Sequence, residues 1–229
     1  MATYNGECYI KEQLDSILCQ LSDGDEVIIS DDGSTDRTVE IIKSYPSDKI
    51  TLLEGQSFRS PVFNFENALK QAKNEFIFLS DQDDLWEAEK VGIMLLHLKE
   101  YDLVISDARL IDADGTPLGT SFYELNGSSS GLFKNIVKNS YIGCTMAFNR
   151  KILDHALPFP ENTPMHDWWL GLIAELFGKV YFCKEPLVRY RRHETNASAS
   201  ASKSPYNLKE KINMRILLLV NLAKRWFRK

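Results

Sequence analysis

The chain has 229 residues, of which 44% are hydrophobic and 26% charged, and this composition is typical of one globular domain with room for a small appendage. Its formal net charge of −5 is uneven, because residues 203–229 carry eight Lys and Arg against one acid, Glu210, which leaves about −12 on the rest. The acidic body argues against nucleic acid as the main partner, whereas the basic tail suits an anionic surface.

Cysteine usage and hydropathy predict a cytoplasmic protein. The four cysteines form neither a CxxC pair nor a zinc-site spacing, so we expect free thiols. No signal peptide precedes the first motif, and no apolar run approaches the roughly 20 residues of a membrane span. Residues 1–6 look like the end of a strand whose apolar residues are missing. We therefore expect a chain that was cut, a start assigned late, or a short first strand.

Apolar periodicity predicts alternating helices and strands in the first part of the chain. Helical spacing occurs in the segments 10–18, 39–42 and 65–72. Short apolar runs bounded by turn residues occur at 27–30, 50–53 and 76–79. This order of units predicts an α/β fold with a Rossmann-like, mainly parallel sheet sandwiched by helices.

The second part of the chain is less regular. Strands are predicted at 103–105, 144–148, 180–183 and 187–190, and helices at 87–101, from Arg150 and from His166. Residues 112–130 are rich in Gly, Ser and Asp, so we predict loops there.

Residues 208–229 are predicted to form a basic amphipathic helix. Ile212, Ile216, Leu219 and Leu222 recur near the helical period, and Lys and Arg flank them. Such a helix suits peripheral contact with the inner face of an anionic cell membrane, where lipid-linked acceptors lie. The alternative is packing on the domain or on a partner chain, as in a homo-oligomer.

Two clusters of carboxylates each follow a short apolar run. They contain Asp31 and Asp32, and Asp81, Asp83 and Asp84. The carboxyl ends of strands are where open α/β sheets bind ligands. Crowded carboxylates repel one another unless a cation neutralises them, so the pattern predicts Mg²⁺ or Mn²⁺. The alternative is a structural role in turns and helix caps, for example Asp84 capping the next helix.

Five motifs, in this order and at these spacings, resemble family 2 glycosyltransferases with the GT-A fold, in particular bacterial rhamnosyltransferase-like members that build surface polysaccharide. The motifs are MATYNGECYIKEQLDSIL, VIISDDGSTDRT, FIFLSDQDDLW, MHDWW and YRRHETN. The resemblance implies a glycosyltransferase domain over 1–200, with a nucleotide-sugar-binding half, 1–107, and an acceptor-side half, 108–200. The C-terminal helix, 201–229, follows this domain.

The resemblance implies that the start of the chain binds the donor. Thr3, Tyr4 and Asn5 correspond to the turn that holds the nucleotide, and Glu7 lies close by. Arg59, in the loop after the third strand, is a candidate contact for the donor phosphate or sugar. A surface position without such a contact is the alternative for Arg59.

The same resemblance assigns one acid cluster to the nucleoside of the donor and the other to the metal ion. Asp31 and Asp32 match acids that bind the base and ribose of the donor, which suits their capacity to accept hydrogen bonds. Asp81-Gln82-Asp83 matches the metal-binding DxD element. Asp83 is the expected direct ligand, and Asp81 is expected near the ribose or next to the metal site.

Two late motifs supply the remaining predicted roles. Asp167 resembles the catalytic base that deprotonates the acceptor, although an acid in a first helical turn is also favoured by the helix dipole. Arg192 can hold a diphosphate, and His193 can do so or ligate the metal. His193 and Asn196 match a late family element.

The resemblance therefore implies a metal-dependent inverting glycosyltransferase. The donor would be a nucleotide sugar, dTDP-rhamnose or a UDP-linked hexose, and the acceptor a hydroxyl of a glycan or lipid-linked glycan. A nucleotidyltransferase would need a Gly-rich basic loop near the start, and a phosphotransfer receiver a late Lys; we find neither. A catalytically idle glycan-binding subunit is the non-enzyme alternative.

Overall fold

The computed structural model describes residues 1–193 and 207–227, which form two β-sheets with helices packed against them. The strands are β1 (Ala2–Thr3), β2 (Val27–Asp31), β3 (Ile50–Leu53), β4 (Phe76–Phe78), β5 (Leu85–Trp86), β6 (Leu103–Ile111), β7 (Pro117–Ser121), β8 (Met146–Asn149) and β9 (Val180–Arg191). The helices are α1 (Ile10–Leu18), α2 (Thr38–Lys43), α3 (Pro61–Gln71), α4 (Lys90–Leu98), α5 (Phe122–Asn126), α6 (Leu132–Val137), α7 (Arg150–Ala156), α8 (His166–Phe177) and α9 (Leu208–Trp226). A 3₁₀ turn, Gly143–Thr145, precedes β8.

The first sheet is parallel and has the order β1–β2–β3. Parallel neighbours need a crossover connection, and α1 and α2 provide the two crossovers. Every residue of β2 is buried, which agrees with its continuous apolar run. The parallel pairing predicted for this part of the chain is confirmed.

The second sheet is mixed and has the order β4–β8–β6–β9–β5, with β7 also paired to β6. Strands β6 and β9 are parallel, and the other pairs of this sheet are antiparallel. The parallel arrangement predicted from the sequence therefore extends only to β6 and β9 here. Strand β7 follows β6 through a short turn, which permits only an antiparallel return.

Two stretches of the second part differ from the prediction. Residues 112–130 are not all loop, because β7 pairs with β6 and α5 follows it. The predicted strands 180–183 and 187–190 are one strand, β9, whose register against β6 shifts around Pro186. Proline lacks the backbone N–H that a regular ladder uses, so the strand continues through an irregularity.

The two predicted halves of the domain share a hydrophobic core. Phe65 and Ile77 pack in the same cluster as Trp169 of α8, and Leu218 and Leu222 of α9 join it. One face of the C-terminal helix is therefore packed on the domain. Residues 194–206, with the predicted boundary at 200 and Asn196, lie outside the described residues, as do 228–229. In the part of the chain that is described, no helix combines the length and apolarity needed to cross a membrane.

Candidate active site

A cavity of about 510 Å³ opens where the carboxyl ends of β1, β2 and β4 meet. The predicted site residues that line it are Thr3, Tyr4, Asp32, Arg59, Asp81, Asp83 and Asp167. The predicted residues that do not line it are Asn5, Glu7, Asp31, Arg192 and His193. The fold therefore joins members of both acid clusters with the proposed base, although Asp167 is far from both in the sequence.

Asp31 closes the turn that follows β2. Its Oδ1 accepts hydrogen bonds from the backbone N–H of Gly33 at 3.1 Å and of Ser34 at 2.8 Å. Its Oδ2 accepts from the hydroxyl groups of Ser34 at 2.5 Å and Thr3 at 3.0 Å. These bonds agree with the turn-residue alternative for Asp31. Its role in binding the donor remains a prediction.

Asp32 holds the loop that precedes α3. Its carboxylate accepts from the backbone N–H groups of Phe58, of Arg59 at 3.2 Å and of Ser60 at 3.1 Å. Arg59 has a φ of 51°, a left-handed conformation that costs energy in a residue with a side chain. The three bonds from this loop to Asp32 compensate that cost and place Arg59 at the edge of the cavity.

Gln82 connects the end of β1 to the second acid cluster. Its Oε1 accepts from the backbone N–H of Tyr4 at 2.8 Å, and its Nε2 donates to the carbonyl of Tyr4 at 2.9 Å. A Cβ added to Gly6 would lie 2.4 Å from Gln82 Oε1, so a larger residue there would displace the Gln82 side chain from these two bonds. Gln82 could not be assigned this role from the sequence, because its partner Tyr4 is distant along the chain.

Asn5 and Glu7 form hydrogen bonds with the segment before α2 and do not line the cavity. Asn5 Oδ1 accepts from the backbone N–H of Thr35 at 2.8 Å, and Glu7 Oε2 accepts from that of Arg37 at 3.0 Å. Both residues therefore fix the loop after β2. Direct donor contacts by Asn5 and Glu7 remain predictions.

Asp81 and Asp84 lie close together beneath the cavity. One carboxylate oxygen from each and the Cys144 sulfur lie within 4.8 Å of one another. Burial raises the pKa of Asp81 well above its usual value, and repulsion from Asp84 and Asp83 adds to this. Burial, followed by repulsion from Asp83, raises the pKa of Asp84 to about 7. Ionisation of both carboxyls is therefore unfavourable in the protein alone, and a cation beside them would favour it.

Asp84 is not a helix cap, contrary to one sequence-based expectation. Its Oδ1 accepts from the backbone N–H of Arg191 at 2.9 Å, which ties the second acid cluster to the end of β9. Helix α4 begins further along the chain, at Lys90, and its N-cap residue, Glu89, makes no side-chain capping bond.

Lys90 is a fully buried cation beside these acids. Its Nζ donates to the carbonyl of Cys144 at 2.6 Å and lies 4.0 Å from the centre of the Trp86 ring. Burial lowers its pKa to about 7, against the attraction of Asp84 and Asp81. Sequence reasoning missed Lys90, because a lysine at the start of a helix is ordinarily exposed.

Asp83 contacts Arg191 and His193, two residues of the late basic motif. Its Oδ2 lies 2.8 Å from His193 Nε2, and its carbonyl accepts from Arg191 Nε at 2.9 Å. Arg192 Nη1 donates to the Tyr190 hydroxyl at 3.3 Å, and Tyr190 lines the cavity. Asp83 and His193 therefore lie side by side, and their role as metal ligands stays a prediction. Arg192 contacts Tyr190, which lines the cavity.

Asp167 lies in the first turn of α8 and faces the cavity. Its Oδ1 accepts from the backbone N–H of Trp168 at 2.6 Å. Burial raises the pKa of Asp167 to about 7, although backbone hydrogen bonds from Trp168 and Gly143 act in the opposite direction. A carboxylate that titrates near neutral pH suits a general base.

The two tryptophans after Asp167 belong to the core. Trp168 Nε1 donates to the carbonyl of Asn135 at 2.7 Å, and Trp169 Nε1 to that of Ala156 at 3.0 Å. Both indoles are buried, so neither offers an open face on which a sugar could stack. They fix the direction of α8 and hence the position of the acid that precedes them.

His166 also lines the cavity and was not assigned a role from the sequence. Its ring stacks on Phe65 with 3.9 Å between centroids, and neither ring nitrogen has a hydrogen-bond partner. Burial lowers the pKa of His166 to about 3, so the imidazole is neutral. A Cβ on Gly143 would lie 2.7 Å from its Nε2, which explains the glycine at that position.

The donor groups fit the divalent cation predicted from the sequence. Asp81 and Asp83 both line the cavity, and carboxylate oxygens are the ligands that Mg²⁺ and Mn²⁺ prefer. Burial, with repulsion from Asp84 and Asp83, raises the pKa of Asp81, and a bound cation would act in the opposite direction by favouring the ionised carboxylate. Cys144 fits less well, because burial raises the pKa of its thiol well above the usual value and keeps it protonated.

Comparison with known proteins identifies the family. The sequence model of glycosyl transferase family 2 matches residues 1–157. The chain belongs to glycosyl transferase family 2. Within this family, dTDP-rhamnosyl transferase RfbG of Shigella flexneri is 30% identical over 247 residues, which covers 100% of this chain and 81% of RfbG. The family resemblance predicted from the five motifs is confirmed.

Solved structures confirm the GT-A fold of this family 2 member. TarS of S. aureus, residues 1–349, in complex with UDP-GlcNAc, superposes with a TM-score of 0.71 and 24% identity. The superposition covers 96% of this chain and 65% of the TarS chain. Mannosyltransferase PcManGT from Pyrobaculum calidifontis, in complex with GDP-Man and Mn²⁺, gives a TM-score of 0.61 with 20% identity over 87% of this chain and 56% of PcManGT.

Proposed function

We propose that this chain transfers a sugar from a nucleotide sugar to a hydroxyl group of a glycan or lipid-linked glycan, with inversion at the anomeric carbon, in the synthesis of surface polysaccharide. The observation that carries the proposal is the single cavity that Asp32, Asp81, Asp83 and Asp167 share. A cavity of about 510 Å³ lies in the range of small-molecule sites.

The proposed donor is dTDP-rhamnose. Support comes from the name and the 30% identity of RfbG, to which the whole of this chain aligns. A UDP-linked hexose is the second candidate, because TarS binds UDP-GlcNAc and shares the fold. In either case the nucleoside would lie against Thr3, Tyr4 and Asp32, and Arg59 would approach the phosphates or the sugar.

Asp83, Asp81 and His193 are the proposed holders of Mg²⁺ or Mn²⁺. Such an ion, when bound, supplies positive charge that stabilises the departing diphosphate. The protein itself contributes rigid placement: the Asp84 bond to the backbone of Arg191 holds the acid cluster against β9. Gln82 holds the same cluster against the end of β1. PcManGT, with the same fold, is described in complex with Mn²⁺.

Asp167 is the proposed general base. A direct displacement needs one group that removes the proton from the acceptor hydroxyl and no nucleophile on the enzyme. Asp167 lines the cavity from the first turn of α8, and its Oδ1 accepts a hydrogen bond from the backbone N–H of Trp168. Its carboxylate takes the acceptor proton while the acceptor oxygen bonds to the anomeric carbon and the nucleoside diphosphate departs.

The donor proposal is tested by isothermal titration calorimetry with dTDP, UDP and GDP, each with and without Mn²⁺. We expect dTDP to bind in the presence of Mn²⁺, and the Asp83→Asn variant to lose at least tenfold in affinity. Asp114→Asn, an exposed acid outside the cavity, is the matched control. Absence of metal-dependent binding by all three nucleotides would contradict the proposal, and preference for UDP would select the second donor.

The acceptor is proposed to be presented at a membrane surface. Part of α9 faces away from the core, with exposed Leu208, Ile212, Ile216, Leu219 and Val220. An amphipathic helix with neighbouring basic residues binds anionic lipid. This would place the protein peripherally on the inner face of the cell membrane, and association with a second copy of the chain is the competing outcome.

A further inference from the structure

Helix α6 has an apolar face that is exposed to solvent. Phe133 is 81% exposed and Val137 is 66% exposed. The two side chains are four positions apart, so they lie on the same face of the helix as direct neighbours. A single exposed apolar residue is ordinary on a protein surface, but two neighbours on one helical face form an apolar patch.

The opposite face of α6 is fixed to the domain through Asn135, which is buried. Its Nδ2 donates to the carbonyls of Ser129 at 2.9 Å and Gly131 at 3.0 Å. Its Oδ1 accepts from the backbone N–H of Ser140 at 3.0 Å. The helix is therefore held in one orientation, and the exposed pair belongs to a fixed part of the surface.

The surroundings of α6 are basic, although most of the molecule is acidic. Residues 125–153 contain four Lys and Arg and no acid. Lys134 and Lys138 follow the two exposed apolar residues directly, and both are exposed. Their ammonium groups donate to the carbonyls of Gly127 at 3.1 Å and Asn126 at 2.5 Å. A carbonyl carries no net charge, so these bonds position the two cations without neutralising them, and the patch suits an anionic surface.

Helix α9 continues this surface. Arg215 Nη2 donates to the carbonyl of Val137 at 2.6 Å, which joins α9 to the end of α6. Ile212 and Ile216, which precede and follow Arg215 in the chain, are 48% and 52% exposed. The two helices therefore present neighbouring apolar side chains with Lys and Arg among them, and this combination is typical of a surface that binds anionic lipid.

Two connections hold α6 close to the active-site cavity. Trp168, the residue after Asp167, donates from its Nε1 to the carbonyl of Asn135 at 2.7 Å. Ile142, which lines the cavity, is five positions after Val137. Five extended residues span at most about 18 Å, so a surface that covers α6 lies within about that distance of the cavity wall.

We propose that the exposed face of α6 inserts into an anionic lipid bilayer beside α9 and holds the cavity at the bilayer surface, where a lipid-anchored acceptor reaches Asp167. This role of α6 rests on the membrane contact proposed for α9 and adds a second, separate element to it. One helix alone leaves the molecule free to rotate about the helix axis, whereas two helices fix the side that the cavity presents to the lipid.

The test attaches the fluorophore NBD, whose emission rises when it passes from water into lipid, to single cysteines. The two exposed native cysteines are first replaced by Cys8→Ser and Cys19→Ser. The labelled positions are Phe133→Cys, Ile216→Cys and, on α4, Leu96→Cys. With vesicles that contain phosphatidylglycerol, we expect emission to rise at least twofold at positions 133 and 216 and to stay within about 20% at position 96. Vesicles of phosphatidylcholine alone should leave all three unchanged.

A second measurement uses unlabelled protein. The double variant Phe133→Ser, Val137→Ser should bind phosphatidylglycerol vesicles at least fivefold more weakly than the unchanged chain. Its affinity for dTDP with Mn²⁺ should change less than about twofold, and its Tm by less than about 2 °C, because both side chains are exposed. Leu96→Ser, which also removes an exposed leucine, is the matched control and should bind vesicles normally.

Three results would overturn the proposal. A response to vesicles at position 216 but not at 133 would confine the membrane contact to α9. A response at neither position would make the membrane contact of α9 wrong as well. A rise at position 133 that needs no lipid and increases with protein concentration would mean that a second copy of the chain covers this face. None of these readouts measures glycosyl transfer or nucleotide binding, so the proposal can fail while the proposed reaction stands.

Discussion

Asp167 is buried and lines the cavity, and its burial should make the reaction depend on pH. Because burial raises its pKa to about 7, the carboxyl is protonated, and inactive as a base, below that pH. We expect kcat/KM to rise about tenfold per pH unit up to pH 7 and then to level off, since kcat/KM reports groups of the free enzyme. A profile already flat from pH 5 upward would exclude Asp167 as the base.

Replacing Asp167, the proposed base, tests the same residue without a pH change. We expect Asp167→Asn to lower kcat by about 10²- to 10⁴-fold while the affinity for the nucleotide changes less than about threefold. Asp154→Asn, an exposed acid on α7, should leave both unchanged. Steady-state kinetics and nucleotide titration on the same preparations make the comparison. Equal loss of nucleotide affinity in Asp167→Asn would indicate a structural role instead.

The candidate site could be predicted from the sequence where a residue lies at a strand end or in a family motif. Asp32, Asp81 and Asp83 line the cavity as expected, because β2 and β4, although in different sheets, both end at this cavity. Lys90 and Gln82 could not be predicted, because their roles depend on neighbours distant in sequence, Cys144 and Tyr4.

Helix α9 presents two apolar faces with different surroundings. Leu218 is 1% exposed and packs in the core cluster, whereas Leu219, its neighbour in the chain, is 46% exposed. We expect Leu218→Ala to lower the free energy of unfolding by about 2–4 kcal/mol, because it leaves a cavity in the core. The matched variant Leu219→Ala should change it by less than about 0.5 kcal/mol. Urea denaturation measures both, and equal effects would mean that α9 does not pack as described.

The positions of most strands and helices could be predicted, but the pairing partners in the second sheet could not. The parallel pairing of β2 with β3 follows from the βαβ order, since α2 must cross over between them. The β7 hairpin was missed because Gly115 and Pro117 are typical of loops and equally of a turn that returns a strand along β6. The local sequence does not show along which edge of β6 the strands β8 and β9 pair.

The charge distribution of the whole molecule separates an acidic catalytic body from a basic C-terminal region. Residues 203–229 hold eight Lys and Arg against one acid. Two of these cations are engaged with the domain: Arg215 Nη2 donates to the carbonyl of Val137 at 2.6 Å, and Arg225 Nη1 to that of Leu157 at 2.8 Å. Lys209 and Lys224 are exposed beside the apolar face of α9. An acidic body is repelled by an anionic membrane, so attraction is confined to this end of the molecule.

We therefore expect the protein to sediment with vesicles that contain phosphatidylglycerol, and not with vesicles of phosphatidylcholine alone. Binding should weaken as salt rises from about 0.05 to 0.5 M, because exposed charges are screened, and should fall at least fivefold in the double variant Ile212→Asn, Ile216→Asn. Leu96→Asn, which removes an exposed apolar side chain from α4, is the control that should bind normally. If instead the double variant abolishes a concentration-dependent dimer in the absence of lipid, the outer face of α9 is a protein interface. In that case the membrane assignment is wrong, because the same side chains cannot be buried between two copies and inserted between lipids at once.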